Sequence, residues 1–137
     1  MSRIITEKLA PVAPEFFVRD VDLSIAFYVE QLGFTLVRAE PEGDGRHGFA
    51  VLSRGEAEFL FVHESALGPV NRAALPYPRA AGVDIRLMVD DADAVYASVR
   101  ERGVNVVLPL KDQPYGLRDF TVADPDGFRI RFAQRIA

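Results

Sequence analysis

The sequence predicts an α+β fold in which one unit, a strand, a helix and three further strands, occurs twice. Two observations predict it. The segments VRDVDLSIAFYVEQLGF, from Val18, and VDDADAVYASVRERGV, from Val89, share one plan and begin 71 residues apart. After each segment, apolar and polar residues alternate with the period of two that is typical of strands. A repeat of this length indicates two similar modules.

Composition limits the kind of protein. The chain has 137 residues, of which 49% are hydrophobic, enough for one domain with its own core. No stretch is apolar enough to cross a bilayer, and the start MSRIITEKLAPVAP lacks the apolar core of a signal peptide, so we expect a cytoplasmic protein. A net charge of −4 without a basic cluster argues against nucleic acid as a partner. The expected partners are a small molecule and a second copy of the chain.

The missing cysteines exclude one group of chemistries. Because the chain has no cysteine, it has no disulfide, no thiolate nucleophile and no zinc site with cysteine ligands. The sequence also lacks a phosphate-binding glycine loop and a dinucleotide fingerprint.

Each repeated segment predicts a strand that ends in valine, an aspartate-rich turn, a helix and a glycine. A carboxylate can accept the unpaired amide protons of a first helical turn, so Asp20 or Asp22 is expected to cap the first helix and Asp91 or Asp93 the second. The glycines suit a left-handed residue after the last turn. The 71-residue offset holds at the aspartates and slips by one residue at the glycines.

Three strands follow each helix. In the first module they are FTLVRA, HGFAVLSR and GEAEFLFVH, and in the second VNVVLPL, RDFTVA and DGFRIRFAQ. The first module is expected over about residues 12–63, the second over about 82–134, and a linker between them over about 64–81, all within one domain of residues 1–137. This segment is rich in Pro, Ala and Gly, a composition that predicts a plain connection or a flap over the site, without a regular helix.

Alternation divides the residues of each strand into two faces. One set is apolar and is expected to pack against the helices. The other set is mixed, and two interpretations stay open for it: a sheet face that meets water, or the lining of a cleft. This second set is Ala13, Glu15, Phe17, Glu58, Leu60, Val62, Asp84, Arg86, Met88, Asp119, Thr121, Arg129, Arg131 and Ala133.

Three motifs carry a resemblance to a known family. They are PEFFVRDVDLSIAFYVEQLGF, VDIRLMVDDADAVYASVRERGV and YGLRDFTVADPDGFRIRF, which together span most of the chain. With them the sequence resembles the vicinal oxygen chelate superfamily, the glyoxalase/bleomycin resistance/dioxygenase group. The resemblance implies paired βαβββ modules whose mixed sheets curl around a cavity, which dimerisation usually completes.

The resemblance also assigns four metal-ligand positions, because enzymes of this superfamily hold a divalent ion with His, Glu or Gln side chains. On this chain the four positions are Ala13, Leu60, Asp84 and Arg131. Alanine and leucine have no donor atom, and arginine is a permanent cation. The resemblance therefore implies no metal and no cofactor. It also predicts that Asp84 and Arg131 face each other across the cavity and form an ion pair within about 4 Å in place of the metal.

A metal-free member of this kind resembles the bleomycin resistance proteins, dimers that sequester a drug without modifying it. Tyr115 and Phe17 are the candidates for stacking on the ligand. Glu15, Asp84 and Asp119 are the candidates for anchoring a cationic ligand. Three arginines on the same face suit a strongly cationic drug less well and leave a zwitterionic or anionic metabolite open. The candidate ligand-binding residues are Glu15, Phe17, Leu60, Asp84, Arg86, Tyr115, Asp119, Arg129 and Arg131.

Three alternatives stay open. Tyr115 could simply pack against its own hairpin. A metal-dependent lyase, isomerase, thiol transferase or dioxygenase would need new ligands, but the two histidines, His47 and His63, are expected at a rim. Glu15 could act as a base without a metal if an apolar cavity raised its pKa.

Overall fold

Two separate four-stranded sheets form the fold in a computed structural model, which describes residues 10–79 and 82–137. The first sheet has the strand order β1-β4-β3-β2 and the second has the equivalent order β5-β8-β7-β6. In each sheet the pair formed by its first and fourth strands is parallel, and the other pairs are antiparallel. The predicted α+β fold of two βαβββ units is confirmed.

The elements follow the predicted order. They are β1 (Glu15–Val18), α1 (Val21–Ala26), a π-helical turn (Phe27–Gln31), β2 (Thr35–Pro41), β3 (His47–Arg54), β4 (Ala57–His63), a 3₁₀ turn (Glu64–Leu67), α2 (Pro69–Ala73), β5 (Asp84–Met88), α3 (Ala92–Glu101), β6 (Val106–Asp112), β7 (Leu117–Ala123) and β8 (Arg129–Arg135). None of the helices in the described ranges is long and apolar enough to cross a membrane.

Aspartates begin both long helices. The Asp20 carboxylate accepts a hydrogen bond of 3.0 Å from the Leu23 amide, and Asp91 accepts one of 3.0 Å from the amide of Ala94. In each pair of candidate caps, the first aspartate therefore caps the helix, which satisfies an amide that would otherwise lack a partner.

The π-helical turn explains why the repeat slips by one residue. A π-turn accommodates one residue more than an α-helix of the same rise. Val18 and Gly33 are 15 residues apart, whereas Val89 and Gly103 are 14 apart. Both glycines have the predicted left-handed backbone, with φ of +76° and +73°.

The linker is more regular than predicted. A 3₁₀ turn and the short helix α2 occupy its first part. Proline at the first position of α2 presets the helical φ and lacks the amide proton that a first turn leaves unpaired, so a helix starts here despite the irregular composition. The predicted linker residues 80 and 81 lie outside the described residues.

A single hydrophobic core is shared by the two modules and includes residues of both sheets and of helices α1 and α3. Phe16 of β1 stacks on Phe128, which precedes β8, with ring centroids 4.6 Å apart. Because the core covers one face of each sheet, the other two faces point away from it. The core comprises Phe16, Val18, Val21, Tyr28, Leu32, Phe34, Ala50, Leu52, Phe59, Phe61, Leu87, Val99, Val104, Phe120, Val122, Ile130 and Phe132.

The DPDG turn before β8 joins the two halves by polar contacts. The buried Tyr28 hydroxyl donates a hydrogen bond of 2.7 Å to Asp124 Oδ2. Asp126 accepts a hydrogen bond of 3.0 Å from Arg19 Nε and another of 3.2 Å from the Arg19 amide. Burial raises the pKa of Asp124 to about 6, since its carboxylate is largely removed from water.

Candidate functional site

The outward face of the second sheet carries most of the candidate residues. Strand alternation turns Ile130 and Phe132 into the core and leaves Arg129 and Arg131 on the other face. In the parallel pairing of β5 and β8, Asp84 lies opposite Arg129. The face is therefore built from charged side chains on adjacent strands.

Asp84 is held by two arginines at once. Its Oδ2 lies 3.1 Å from Arg131 Nη2, and its Oδ1 lies 2.8 Å from Arg129 Nε. The predicted ion pair between Asp84 and Arg131 is confirmed. The two residues sit side by side in one sheet rather than on opposite walls of a cavity, because β5 and β8 are neighbouring strands.

Asp119 is the most buried carboxylate of this face, with 2% of its surface exposed. It accepts hydrogen bonds of 2.9 Å from Gln113 Nε2 and 3.0 Å from the Tyr115 hydroxyl, and Arg131 Nη1 lies 3.4 Å away. Both carboxylates of the face are therefore already paired with side chains of the protein, and neither is left to anchor a cationic ligand.

Arg131 lies between these two carboxylates. Burial lowers the pKa of Arg131, but the hydrogen bond to Asp84 and the charges of Asp119 and Asp84 outweigh burial and raise it above its usual value. Arg131 thus stays cationic, and a cation at this position repels a divalent ion.

Tyr115 is fixed at one end and open at the other. Its hydroxyl is hydrogen-bonded to Asp119 within the same hairpin, while 55% of the residue is exposed. The guanidinium of Arg86 lies 5.9 Å from the centre of the Tyr115 ring. Tyr115 therefore contacts its own hairpin and leaves part of its ring exposed, and its role in stacking on a ligand stays a prediction.

Two buried donors on this face lack hydrogen-bond partners. Thr121 is fully buried, and its Oγ1 contacts no donor or acceptor in the described part of the chain. Arg129 Nε is close to Asp84 in the ion pair, but its N–H is not aligned for a hydrogen bond. Sequence reasoning placed Thr121 on the face but missed it as a candidate, because alternation shows where a side chain points and not whether it is paired.

The outward face of the first sheet carries an apolar cluster. Phe49, Val51, Leu60 and Val62 form a buried cluster against which Ala13 and Phe17 pack. The metal-ligand positions at Ala13 and Leu60 therefore lie among carbon atoms. The predicted mixture of apolar and charged residues holds for this sheet, because Glu15 lies opposite Leu60 on the same face. Alternate residues of the neighbouring strand β3 widen the apolar part.

Glu15 does not have the surroundings that a catalytic base of the proposed kind requires. It is exposed at the start of β1, next to the partly buried Phe17. Glu58, the other carboxylate of this sheet, accepts a hydrogen bond of 2.7 Å from the Ala10 amide. The hypothesis of a base inside an apolar cavity therefore lacks structural support.

The nine candidate residues form two separate groups within one chain. Glu15, Phe17 and Leu60 belong to the first sheet. The other six belong to the second sheet or to the turn before β7, namely Asp84, Arg86, Tyr115, Asp119, Arg129 and Arg131. Since the outward faces both point away from the shared core, one chain does not bring the two groups together.

The two histidines do not replace the missing metal ligands. His47 Nδ1 lies 2.6 Å from Asp22 Oδ1, and His63 Nδ1 lies 2.7 Å from the Ser65 hydroxyl. Burial would raise the pKa of Asp22, but its hydrogen bonds from His47 lower it below the usual value. Over residues 10–79 and 82–137, no group of three or more His, Asp or Glu residues is placed to hold a metal ion.

A cavity of about 350 Å³ opens beside the apolar face of the first sheet. Glu40, Glu42, Phe49, Val62 and His63 contribute to its lining. Sequence reasoning placed only His63 near a rim, and no periodic signal marked the two glutamates, since they lie at and beyond the end of β2.

Comparison with known proteins identifies the family. Residues 8–132 match the Glyoxalase/Bleomycin resistance protein/Dioxygenase superfamily. A bleomycin resistance protein of Geobacillus stearothermophilus is 35% identical over 132 residues, 90% of this chain and 95% of the relative.

Two solved structures share the fold. TnmS3, an antibiotic binding protein from Streptomyces sp. CB03234, is 27% identical with a TM-score of 0.68 over 97% of this chain and 99% of its own. The bleomycin resistance determinant encoded on transposon Tn5 is 24% identical with a TM-score of 0.69 over 93% and 99%. The chain therefore belongs to the Glyoxalase/Bleomycin resistance protein/Dioxygenase superfamily.

Proposed function

We propose that the protein is a cytoplasmic, metal-free binding protein that sequesters a drug or metabolite in a cavity at a homodimer interface. The observation that carries the proposal is the state of Asp84. At the one metal-ligand position that kept a carboxylate, both oxygens are engaged by Arg129 and Arg131. A divalent ion there would have to displace two cations, with only carbon atoms supplied by Ala13 and Leu60.

The dimer is supported by the separation of the two candidate groups. The first sheet offers apolar contacts through Phe17 and Leu60, and the second offers Arg86 and Tyr115. A cavity that uses both groups needs the first sheet of one protomer opposite the second sheet of the other. This arrangement encloses a ligand that neither face surrounds alone.

Strand β5 supports the same proposal. It is an edge strand of the second sheet, so one side of its backbone is unpaired. Val83 and Met88, just before β5 and at its end, are 63% and 55% exposed. Exposed apolar groups beside an open strand edge are typical of a protein interface. A drug as the ligand is supported by the relatives that are named as bleomycin resistance and antibiotic binding proteins.

Four measurements on the purified protein test the proposal. Light scattering is expected to give the mass of a dimer, and elemental analysis is expected to give much less than one transition metal per chain. Calorimetry with metal-free bleomycin, together with native mass spectrometry for molecules that co-purify, is expected to detect a bound small molecule. One zinc, nickel, manganese or iron per chain that survives dialysis would favour the metal-dependent enzyme and overturn the proposal.

A further inference from the structure

We infer that the outward face of the second sheet binds an acidic group on a planar aromatic ring, with Arg86 as the donor and Tyr115 as the stacking surface. This inference rests on the proposed function and names the class of ligand that the site takes. It concerns only the part of the ligand that meets the second sheet, because the exposed Glu15 belongs to the first sheet.

The two carboxylates of this face are already paired with side chains of the protein. Asp84 is neutralised by two arginines, and Asp119 is buried under Gln113, Tyr115 and Arg131. A cationic ligand that approached either carboxylate would have to break an existing ion pair or hydrogen bond. Cation binding at this face is therefore opposed by the protein's own contacts.

The hydrogen-bond donors of this face differ in how exposed they are. Arg86 is exposed and has no carboxylate within ion-pair distance in the part of the chain that the structure describes. Thr121 Oγ1 and Arg129 Nε lie beneath the surface, and Arg129 Nε is 2.8 Å from Asp84 Oδ1, so neither atom is open to a ligand. Arg86 is therefore the arginine of this face whose charge is available to an acidic group.

The candidate residues of this face carry more positive than negative charge. Among the candidate residues of the face, Arg86, Arg129 and Arg131 contribute three positive charges against the two negative charges of Asp84 and Asp119, an excess of one positive charge. The arginine without an acidic partner is also the one beside the Tyr115 ring, at 5.9 Å. An aromatic ring that stacks on Tyr115 would thus hold its carboxylate or phenolate near Arg86.

Two probes that share a ring and differ in charge test the inference. They are 2-naphthoate and 2-naphthylmethylammonium, titrated into the full-length protein and followed by ¹H–¹⁵N NMR, which also reports the arginine Nε–H signals. Naphthoate is expected to bind roughly ten-fold more tightly than the ammonium probe, because one charge-assisted contact differs between them. Its binding is expected to shift the Nε–H signal of Arg86.

Variants assign that preference to the face. Arg86→Gln is expected to weaken naphthoate binding by about ten-fold and to leave the ammonium probe unchanged. Thr121→Val keeps the side-chain shape, removes the hydroxyl and is expected to leave naphthoate binding unchanged, because Oγ1 is not exposed on the face. Arg100→Gln is the control, since it removes the same charge from the exposed side of α3.

Equal binding of both probes, tighter binding of the ammonium probe, or binding of neither would overturn the inference. So would naphthoate binding that Arg86→Gln leaves intact. The proposed function is judged separately by the bleomycin titration, so a protein that binds bleomycin but prefers the ammonium probe keeps its function and loses this assignment.

Discussion

Asp84 shows what a single residue contributes to the candidate site. The resemblance predicted its position and its pairing with Arg131, and the distance of 3.1 Å confirms the pair. The second partner, Arg129, and the hydrogen bonds on Asp119 could not be predicted. Alternation determines which face a side chain occupies, whereas its partners depend on rotamers and on how far β5 is shifted along β8.

Replacing Asp84 by Asn is expected to lower the free energy of unfolding by roughly 1–2 kcal/mol, because two neighbouring arginines would lose their shared counter-charge while partly buried. Urea denaturation of the variant and the wild type measures the change. Asp112→Asn, which removes an exposed partner of Arg118, is the control and is expected to have a smaller effect. If the two variants lost the same stability, the Asp84 cluster would have no special role.

Thr121→Val is expected to stabilise the unliganded protein by up to about 1 kcal/mol, because valine fills the same space without an unpaired hydroxyl. Thermal and urea unfolding measure the change. Thr35→Val, on the exposed start of β2, is the matched control. Destabilisation by Thr121→Val would mean that the hydroxyl is hydrogen-bonded in the folded protein.

Among the elements, the helices and strands were the best predicted and their irregularities the worst. Both caps and all eight strands follow from local patterns. The π-turn appeared in the sequence only as a slip of one residue in the repeat, and a slip does not say where the extra residue is placed. Helix α2 was missed because a proline-rich composition resembles a loop, although proline at a first helical position favours a helix.

The DPDG turn predicts a pH dependence of stability. Burial raises the pKa of Asp124 from 3.8 to about 6, so between about pH 4 and pH 6 the folded protein holds a proton that the unfolded chain has released. This group therefore lowers the free energy of unfolding as the pH rises through that window, by up to about 3 kcal/mol.

Asp124→Asn is expected to remove that contribution, because asparagine does not ionise and its amide can still bond to Tyr28 and the turn. Urea denaturation at pH 4, 5, 6 and 7 should show stability that falls less with pH in the variant than in the wild type. Asp44→Asn, in the exposed β2–β3 loop, is the control. A variant with an unchanged pH profile would show that Asp124 is already ionised at pH 4.

At the scale of the whole molecule, the duplicated architecture was predictable and the arrangement of its halves was not. The 71-residue repeat predicted two like sheets. The ring stack of Phe16 on Phe128 shows that they share one core, so their outward faces diverge. Sequence periodicity describes the faces within one sheet and carries no information on which face of one sheet meets which face of another.

Met88→Asp is expected to weaken dimerisation at least roughly ten-fold, since a charge would be buried without a partner at the open edge of β5. Sedimentation velocity over a range of concentrations measures the change, and circular dichroism checks the fold. Val70→Asp is the matched control, because Val70 on α2 is also highly exposed, at 80%, but lies away from β5. Equal dimerisation of both variants would place the interface elsewhere.

The contact between Tyr28 and Asp124 makes the two halves of the chain non-interchangeable. By the 71-residue offset, Tyr28 corresponds to Val99 and Asp124 to Ser53, so the reciprocal contact has no equivalent. A chain of two first halves would bury a phenol without its carboxylate, and a chain of two second halves would bury a carboxylate without its phenol. The first copy of the duplicated unit supplies the donor of this hydrogen bond and the second copy supplies the acceptor, so each copy needs the other.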